Sequence, residues 1–143
     1  MLIVVIVLGV AAALITLQME HDGAAGLRQE SERLRSTLEH AAQLAQWRRA
    51  PVLWEADAAG YRFLSATADG KWQDETDETL TRHALPEAMR LRATGPAGDD
   101  APLRLLLRAS GRNDPYALVV ESPAGRWTVT GDPLNRVRSA PGS

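Results

Sequence analysis

The spacing of apolar residues changes character twice along the chain. Residues 1–17, MLIVVIVLGVAAALITL, are almost entirely apolar and hold no charge and no proline. As a helix they span roughly 25 Å at 1.5 Å per residue. A bilayer core is about 30 Å thick and takes about 20 apolar residues, with about 17 as the lower bound. The run is therefore read as a transmembrane helix carried by Leu2, Ile3, Val5, Ile6, Leu8, Gly9, Ala12 and Leu14. Two other readings stay open. A cleaved signal peptide fits the short run and Ala11-Ala12-Ala13, although no basic segment precedes it. A buried core helix fits a segment apolar on every face.

Gln18-Met19-Glu20-His21-Asp22-Gly23 ends the run. Asp22 can cap a new helix, and Gly23 and Gly26 allow a bend at the membrane surface. From about Ala24 to Ala50 the period becomes helical. Leu27, Leu34, Leu38, Ala41 and Ala45 fall within about 60° of arc at 100° per residue. Arg28 and Glu32, Arg35 and Glu39, and Glu32 and Arg35 have the spacing of helix ion pairs. Arg48 and Arg49 complement the helix dipole, and Pro51 cannot continue the helix. The stripe predicts a stem packed on the chain's own sheet, with its upper part also available to neighbouring subunits.

After Pro51 the period shortens to two. Strands are predicted at Val52–Ala56, Tyr61–Ser65, Lys71–Gln73, Met89–Ala93, Leu103–Ala109, Tyr116–Glu121 and Arg126–Thr130. Asp69-Gly70 is a hairpin-turn dipeptide. Asp74 to Thr81 and Ala93 to Pro102 read as loops. Asn135 to Arg138 adds a short last strand, and the tail from Ser139 reads as loose. The fold class is α+β, a long N-terminal helix packed on a C-terminal antiparallel sheet or sandwich. The predicted divisions are 1–17 transmembrane helix, 18–50 juxtamembrane bend and stem, 51–138 β-rich domain and 139–143 tail.

Composition narrows the chemistry. Sixteen basic and 18 acidic side chains leave a net charge of −2, which offers no broad footprint for nucleic acid. With no cysteine, disulfides, thiolate metal sites and cysteine nucleophiles are excluded. His21, His40 and His83 lack metal-binding spacing, so no metal and no cofactor is expected. Asp99-Asp100 and Asp132 read as loop acids rather than a calcium site. No nucleophile elbow or phosphate-cradling glycine loop occurs, so no catalytic residues and no small-molecule substrate are assigned. Arg104, Arg108, Arg112, Arg126, Arg136 and Arg138 enrich the C-terminal half in positive charge. Most of them are read as exposed strand faces. The minority reading is a basic patch at Arg126, Arg136 and Arg138 for DNA or an acidic partner. Trp47, Trp54, Trp72 and Trp127 are assigned mostly to the core, and an exposed one would mark a partner surface.

The order of local motifs resembles a known family. Tyr61-Arg62-Phe63-Leu64, Gly70-Lys71-Trp72-Gln73 and Leu85-Pro86 before Met89-Arg90-Leu91 resemble the first half of the general secretion pathway protein H family. Gly125-Arg126-Trp127-Thr128-Val129 and Gly131-Asp132-Pro133-Leu134-Asn135-Arg136-Val137 resemble its C-terminal end. The resemblance implies a pilin-like minor pseudopilin of the type II secretion system, anchored once in the bacterial inner membrane with its β domain in the periplasm. It implies a non-enzymatic structural role near the pseudopilus tip, aiding export of folded proteins across the outer membrane. Implied partners are other pseudopilins (the major shaft subunit and minor tip subunits), inner-membrane lipid and the inner-membrane assembly platform. The alternative is a minor pilin of a type IV pilus that binds DNA. The family's Gly-Phe-Thr-Leu-x-Glu processing motif does not precede the apolar run. Reading Met1 as internal predicts that motif in frame just upstream in the genome.

Overall fold

A computed structural model describes residues 2–94 and 103–142, with side chains from residue 23 onward except that of Thr94. One helix, α1, runs from Leu2 to Arg48, 47 residues, or about 70 Å at 1.5 Å per residue. Asp22 caps nothing, because helical hydrogen bonding continues through residues 18–23. Two glycines cost a helix only about 1 kcal/mol each, a small sum against a continuous ladder of hydrogen bonds. At Gly23 the use lies in close approach, and at Gly26 a Cβ would meet only an ordinary contact. A Cβ at Gly23 would come within 3.2 Å of Ala124, and one at Gly26 within 3.6 Å of Met89. The helix stops in a Schellman turn. The amide of Arg49 donates to Gln46 at 3.3 Å and that of Ala50 to Ala45 at 3.1 Å, with Arg49 at φ 55°.

The strands are β1 Val52–Ala56, β2 Gly60–Ala66, β3 Trp72–Asp74, β4 His83–Ala84, β5 Arg90–Thr94, β6 Leu103–Leu107, β7 Tyr116–Ser122, β8 Gly125–Gly131 and β9 Val137–Pro141. They form two antiparallel sheets. The first has the order β3-β2-β1-β6, with β4 also paired to β2, and the second the order β5-β7-β8-β9. Alternation sets which faces are covered. Val52, Trp54 and Ala56 of β1 are buried, whereas Leu53 and Glu55 point to the half-exposed face. Helix α1 lies against both sheets, touching β1 and β6 of the first and β7, β8 and β9 of the second. Leu27, Leu34 and Leu38 meet Trp54, Phe63, Leu107, Leu118, Val120 and Val129 in one core.

Three expectations need correction. The tail from Ser139 is not loose. Ser139, Ala140 and Pro141 pair with Val129, Thr128 and Trp127, and the Gly142 amide donates to Arg126 at 2.8 Å. The pairing is made by backbone, so a polar composition did not announce it. The stretch from Asp74 to Thr81 is not all loop. Asp77 accepts from the Thr79 amide at 2.8 Å, starts a 3₁₀ turn over Glu78–Leu80, and drives Leu80 into the core. Arg28 and Glu32 do not pair, because Glu32 is taken by Arg35 at 2.5 Å and by Ser139 at 3.1 Å.

Strand β4 exists because of one glycine. Gly60 sits opposite Ala84, and a Cβ there would overlap the carbonyl oxygen of His83. Since the obstacle is backbone, Gly60→Ala must push β4 off β2. We expect a loss of roughly 2 kcal/mol in unfolding free energy, with earlier amide exchange at Tyr61 and His83. Unchanged stability and exchange would show that the edge yields freely.

Candidate assembly surface

The helix divides its side chains between two faces. Leu27, Leu34, Leu38, Ala41 and Ala45 are all at most 1% exposed, each covered by the chain's own sheets. None of this stripe is left for a neighbour. The opposite face shows Ala25, Arg28, Gln29, Arg33, Ser36 and Gln43, all exposed and mostly polar. Near its lower end Trp47 stands 86% exposed. The residues assigned to the membrane helix, Leu2, Ile3, Val5, Ile6, Leu8, Gly9, Ala12 and Leu14, lie in α1. Their side chains fall outside the described residues. Among the described residues no helix is long and apolar enough to cross a membrane.

The tryptophans depart from the expectation of core packing. Trp54 is fully buried and Trp127 half-buried, but Trp47 and Trp72 are exposed. Helix arithmetic explains Trp47, which lies about 200° around the helix from Ala45 at 100° per residue. Trp72 lies on the short edge strand β3, opposite Ala66.

The basic residues do not converge. Arg126 lies near the start of β8 and pairs with Glu121 at 3.5 Å. Arg138 faces Thr130 near the other end of β8, with Arg136 just before it. Four residues of strand separate the two ends, about 14 Å at 3.4 Å per residue. The proposed patch of Arg126, Arg136 and Arg138 is thus split, and its first member shares the Glu121 carboxylate with Arg92.

The polar clusters are occupied by the fold itself. Asp132 accepts from the amides of Leu134 and Arg136, both at 2.9 Å, and so shapes a turn. The pair Asp99-Asp100 lies outside the described residues. His83 meets Glu30 at 2.7 Å between β4 and α1, and His40 meets Asp77 at 3.4 Å. Among the described residues no three His, Asp or Glu side chains are grouped to hold a metal. A groove of about 610 Å³ between the sheets is lined by Met89, Leu91 and Leu103 with Arg90 and Glu121. Among the described residues its lining holds no histidine and no hydroxyl nucleophile.

Glu75 ties the foot of α1 to the first sheet. Its carboxylate, 1% exposed, takes Arg48 at 2.7 Å and the amides of Thr76 and Asp77 at 3.1 and 3.2 Å. Burial pushes its pKa up. The Arg48 guanidinium and the two amides outweigh burial and hold the carboxyl below the ordinary glutamate value.

A long helix laid on two antiparallel sheets is the pilin-like arrangement. The family model described as "Type II transport protein GspH" matches residues 30–140, and the chain belongs to that family as a minor pseudopilin of the type II secretion system. Two solved structures of the minor pseudopilin EpsH of the Vibrio cholerae type 2 secretion system have the same fold. One has a TM-score of 0.67 at 22% identity, covering 80% of this chain and 96% of that one. The other has a TM-score of 0.69 at 21% identity, covering 83% and 96%. No match is found among curated proteins. Membership of the family implies assembly with other pseudopilins.

Proposed function

We propose that the chain is a non-catalytic assembly subunit near the tip of the pseudopilus. Residues 2–17 hold it in the inner membrane, with the β domain in the periplasm, until it joins the filament. Its contacts are then neighbouring pseudopilins, after lipid and the inner-membrane assembly platform. The observation that supports this is the continuity of α1, which carries the apolar run and the sheet-packed stem on one helix from Leu2 to Arg48. Movement of the apolar part is thereby transmitted to the domain. Within lipid the hydrophobic gain of helix association largely vanishes, so close approach through Gly9, Ala11 and Ala12 carries more of the contact.

The test uses the full chain in its own bacterium, in place of the chromosomal copy. Leu8→Arg puts a charge mid-run at about 2.5–3.5 kcal/mol. We expect that variant, and one lacking residues 2–17, to leave the membrane fraction and to lower secretion of folded exoproteins at least tenfold. Normal secretion by either variant overturns the reading.

A further inference from the structure

The foot of α1 is built into a rigid surface by three segments. The Gln46 side chain lies against Gly111, where a Cβ would come within 2.7 Å of it. Asn135 donates from Nδ2 to the Gly111 carbonyl at 2.9 Å and accepts from Asn113. The buried Asn113 in turn accepts from the Arg108 amide at 2.7 Å, and its own amide donates to Pro133 at 3.3 Å. The helix end, the turn around Gly111 and the turn around Leu134 are thus fastened together.

Each segment turns a large apolar or cationic side chain outward, one residue from a fastened one. Trp47 follows Gln46 and is 86% exposed, and Leu134 precedes Asn135 and is 64% exposed. Arg112 follows Gly111, Arg136 follows Asn135, and Arg49 occupies the left-handed position after the helix. All three guanidinium groups are exposed, and among the described residues none has a carboxylate partner. In contrast, Arg35, Arg48, Arg62 and Arg104 are each paired to a glutamate. Exposed Trp and Arg on a fixed backbone are the composition of a binding hot spot. Unpaired cations around it favour a partner of the opposite sign. The position also matters, because this surface is at the opposite end of α1 from the apolar run.

We propose that this end of the domain, with Trp47 and Leu134 flanked by Arg49, Arg112 and Arg136, docks the acidic face of a neighbouring pseudopilin subunit. The inference rests on the assembly reading above and adds to it a contact and its chemistry. Trp47 enters an apolar pocket on the neighbour, and the three arginines meet carboxylates around that pocket. Since Trp47 touches little of its own domain, it is free to be the buried member of an intermolecular contact.

The test places p-benzoylphenylalanine at Trp47 of the full chain in cells with the whole secretion system. Trp47→Asp, and the triple variant Arg49→Glu, Arg112→Glu, Arg136→Glu, are scored for secretion beside it. We expect a photo-crosslink to another pseudopilin, at least tenfold less secretion from both variants, and unfolding midpoints close to the wild type. The contact on the neighbour is expected to map to a segment rich in aspartate and glutamate. Crosslinks only to a second copy of this chain or to lipid overturn the proposal, as does normal secretion by both variants. A strain lacking the gene separates the two levels. If it fails to secrete while both variants secrete, only this inference falls. If it secretes normally, the assembly reading falls as well.

Discussion

Trp54→Ala is expected to lower the unfolding free energy by about 3–5 kcal/mol, seen as a fall in the urea midpoint of the full chain held in detergent. Trp54 is 0% exposed. It lies on β1, between Phe63 of β2 and Leu105 of β6. Its ring is 5.9 Å from that of Tyr61, which meets Phe63 edge-on at 6.2 Å. Strand β1 is hydrogen-bonded on both sides, so it cannot collapse into the space vacated. The whole stability of such a domain is about 5–15 kcal/mol, and the variant should retain only part of it. Trp54→Phe is expected to cost clearly less. It keeps most of the ring and discards an indole N–H that has no hydrogen-bond partner among the described residues. Trp47→Ala, by contrast, should stay within about 0.5 kcal/mol. If Trp54→Ala moved the midpoint no further than Trp47→Ala, the two sheets would not share the core described here.

Legibility in the sequence followed from how strongly a residue's partner is dictated locally. Strands β1 and β8 could be read because their own residues alternate between core and solvent, and β7 because Tyr116 to Val120 is a continuous apolar run bounded by turn residues. The stem could be read because Leu27, Leu34, Leu38, Ala41 and Ala45 repeat at helical spacing. Strand β4 could not be read, since it is two residues held by the absence of a side chain on Gly60, more than 20 positions away. The last strand was cut short because Ser139, Ala140 and Pro141 join the sheet through backbone alone. Gly23 and Gly26 read as places for a bend, whereas helical hydrogen bonding continues through both and the lack of a Cβ at Gly23 serves its approach to Ala124. A glycine signals either use, and the distant partner decides. For the candidate docking surface, Trp47 was recognisable as off the buried stripe by angle alone. Its companions Leu134 and Arg112 were not, since only the Asn113 and Asn135 contacts bring those turns to the helix end.

Glu75→Ala is expected to cost roughly 3 kcal/mol and to weaken the acid sensitivity of the fold. The loss is spread over three hydrogen bonds to one buried carboxylate. Arg48 is 41% exposed, so water recovers part of what it loses. The amides of Thr76 and Asp77 are less well placed to recover theirs. The pH dependence follows from the sign of the shift. Glu75 has a folded pKa below its unfolded value, as do Glu32, Glu55 and Asp77. Such groups contribute stability above the unfolded value, about 4.3 for glutamate. That stability is lost as pH falls through the folded values, because the unfolded chain binds protons more readily than the folded one and acid favours it. The wild type should therefore hold its urea midpoint from about pH 7 to about pH 5 and lose it steadily below about pH 4.5. In Glu75→Ala the drop should be shallower, because one of the depressed carboxylates is gone. A second effect reaches the docking surface. With Arg48 released, the last turn of α1 loses one of its ties and keeps Gln46, its Schellman bonds and the buried Ala45, so Trp47 should become more mobile. Its fluorescence anisotropy, measured in a chain whose other tryptophans are replaced by phenylalanine, is expected to fall in the Glu75→Ala variant. An unchanged anisotropy beside a lowered midpoint would mean that the Gly111 contact alone orients Trp47.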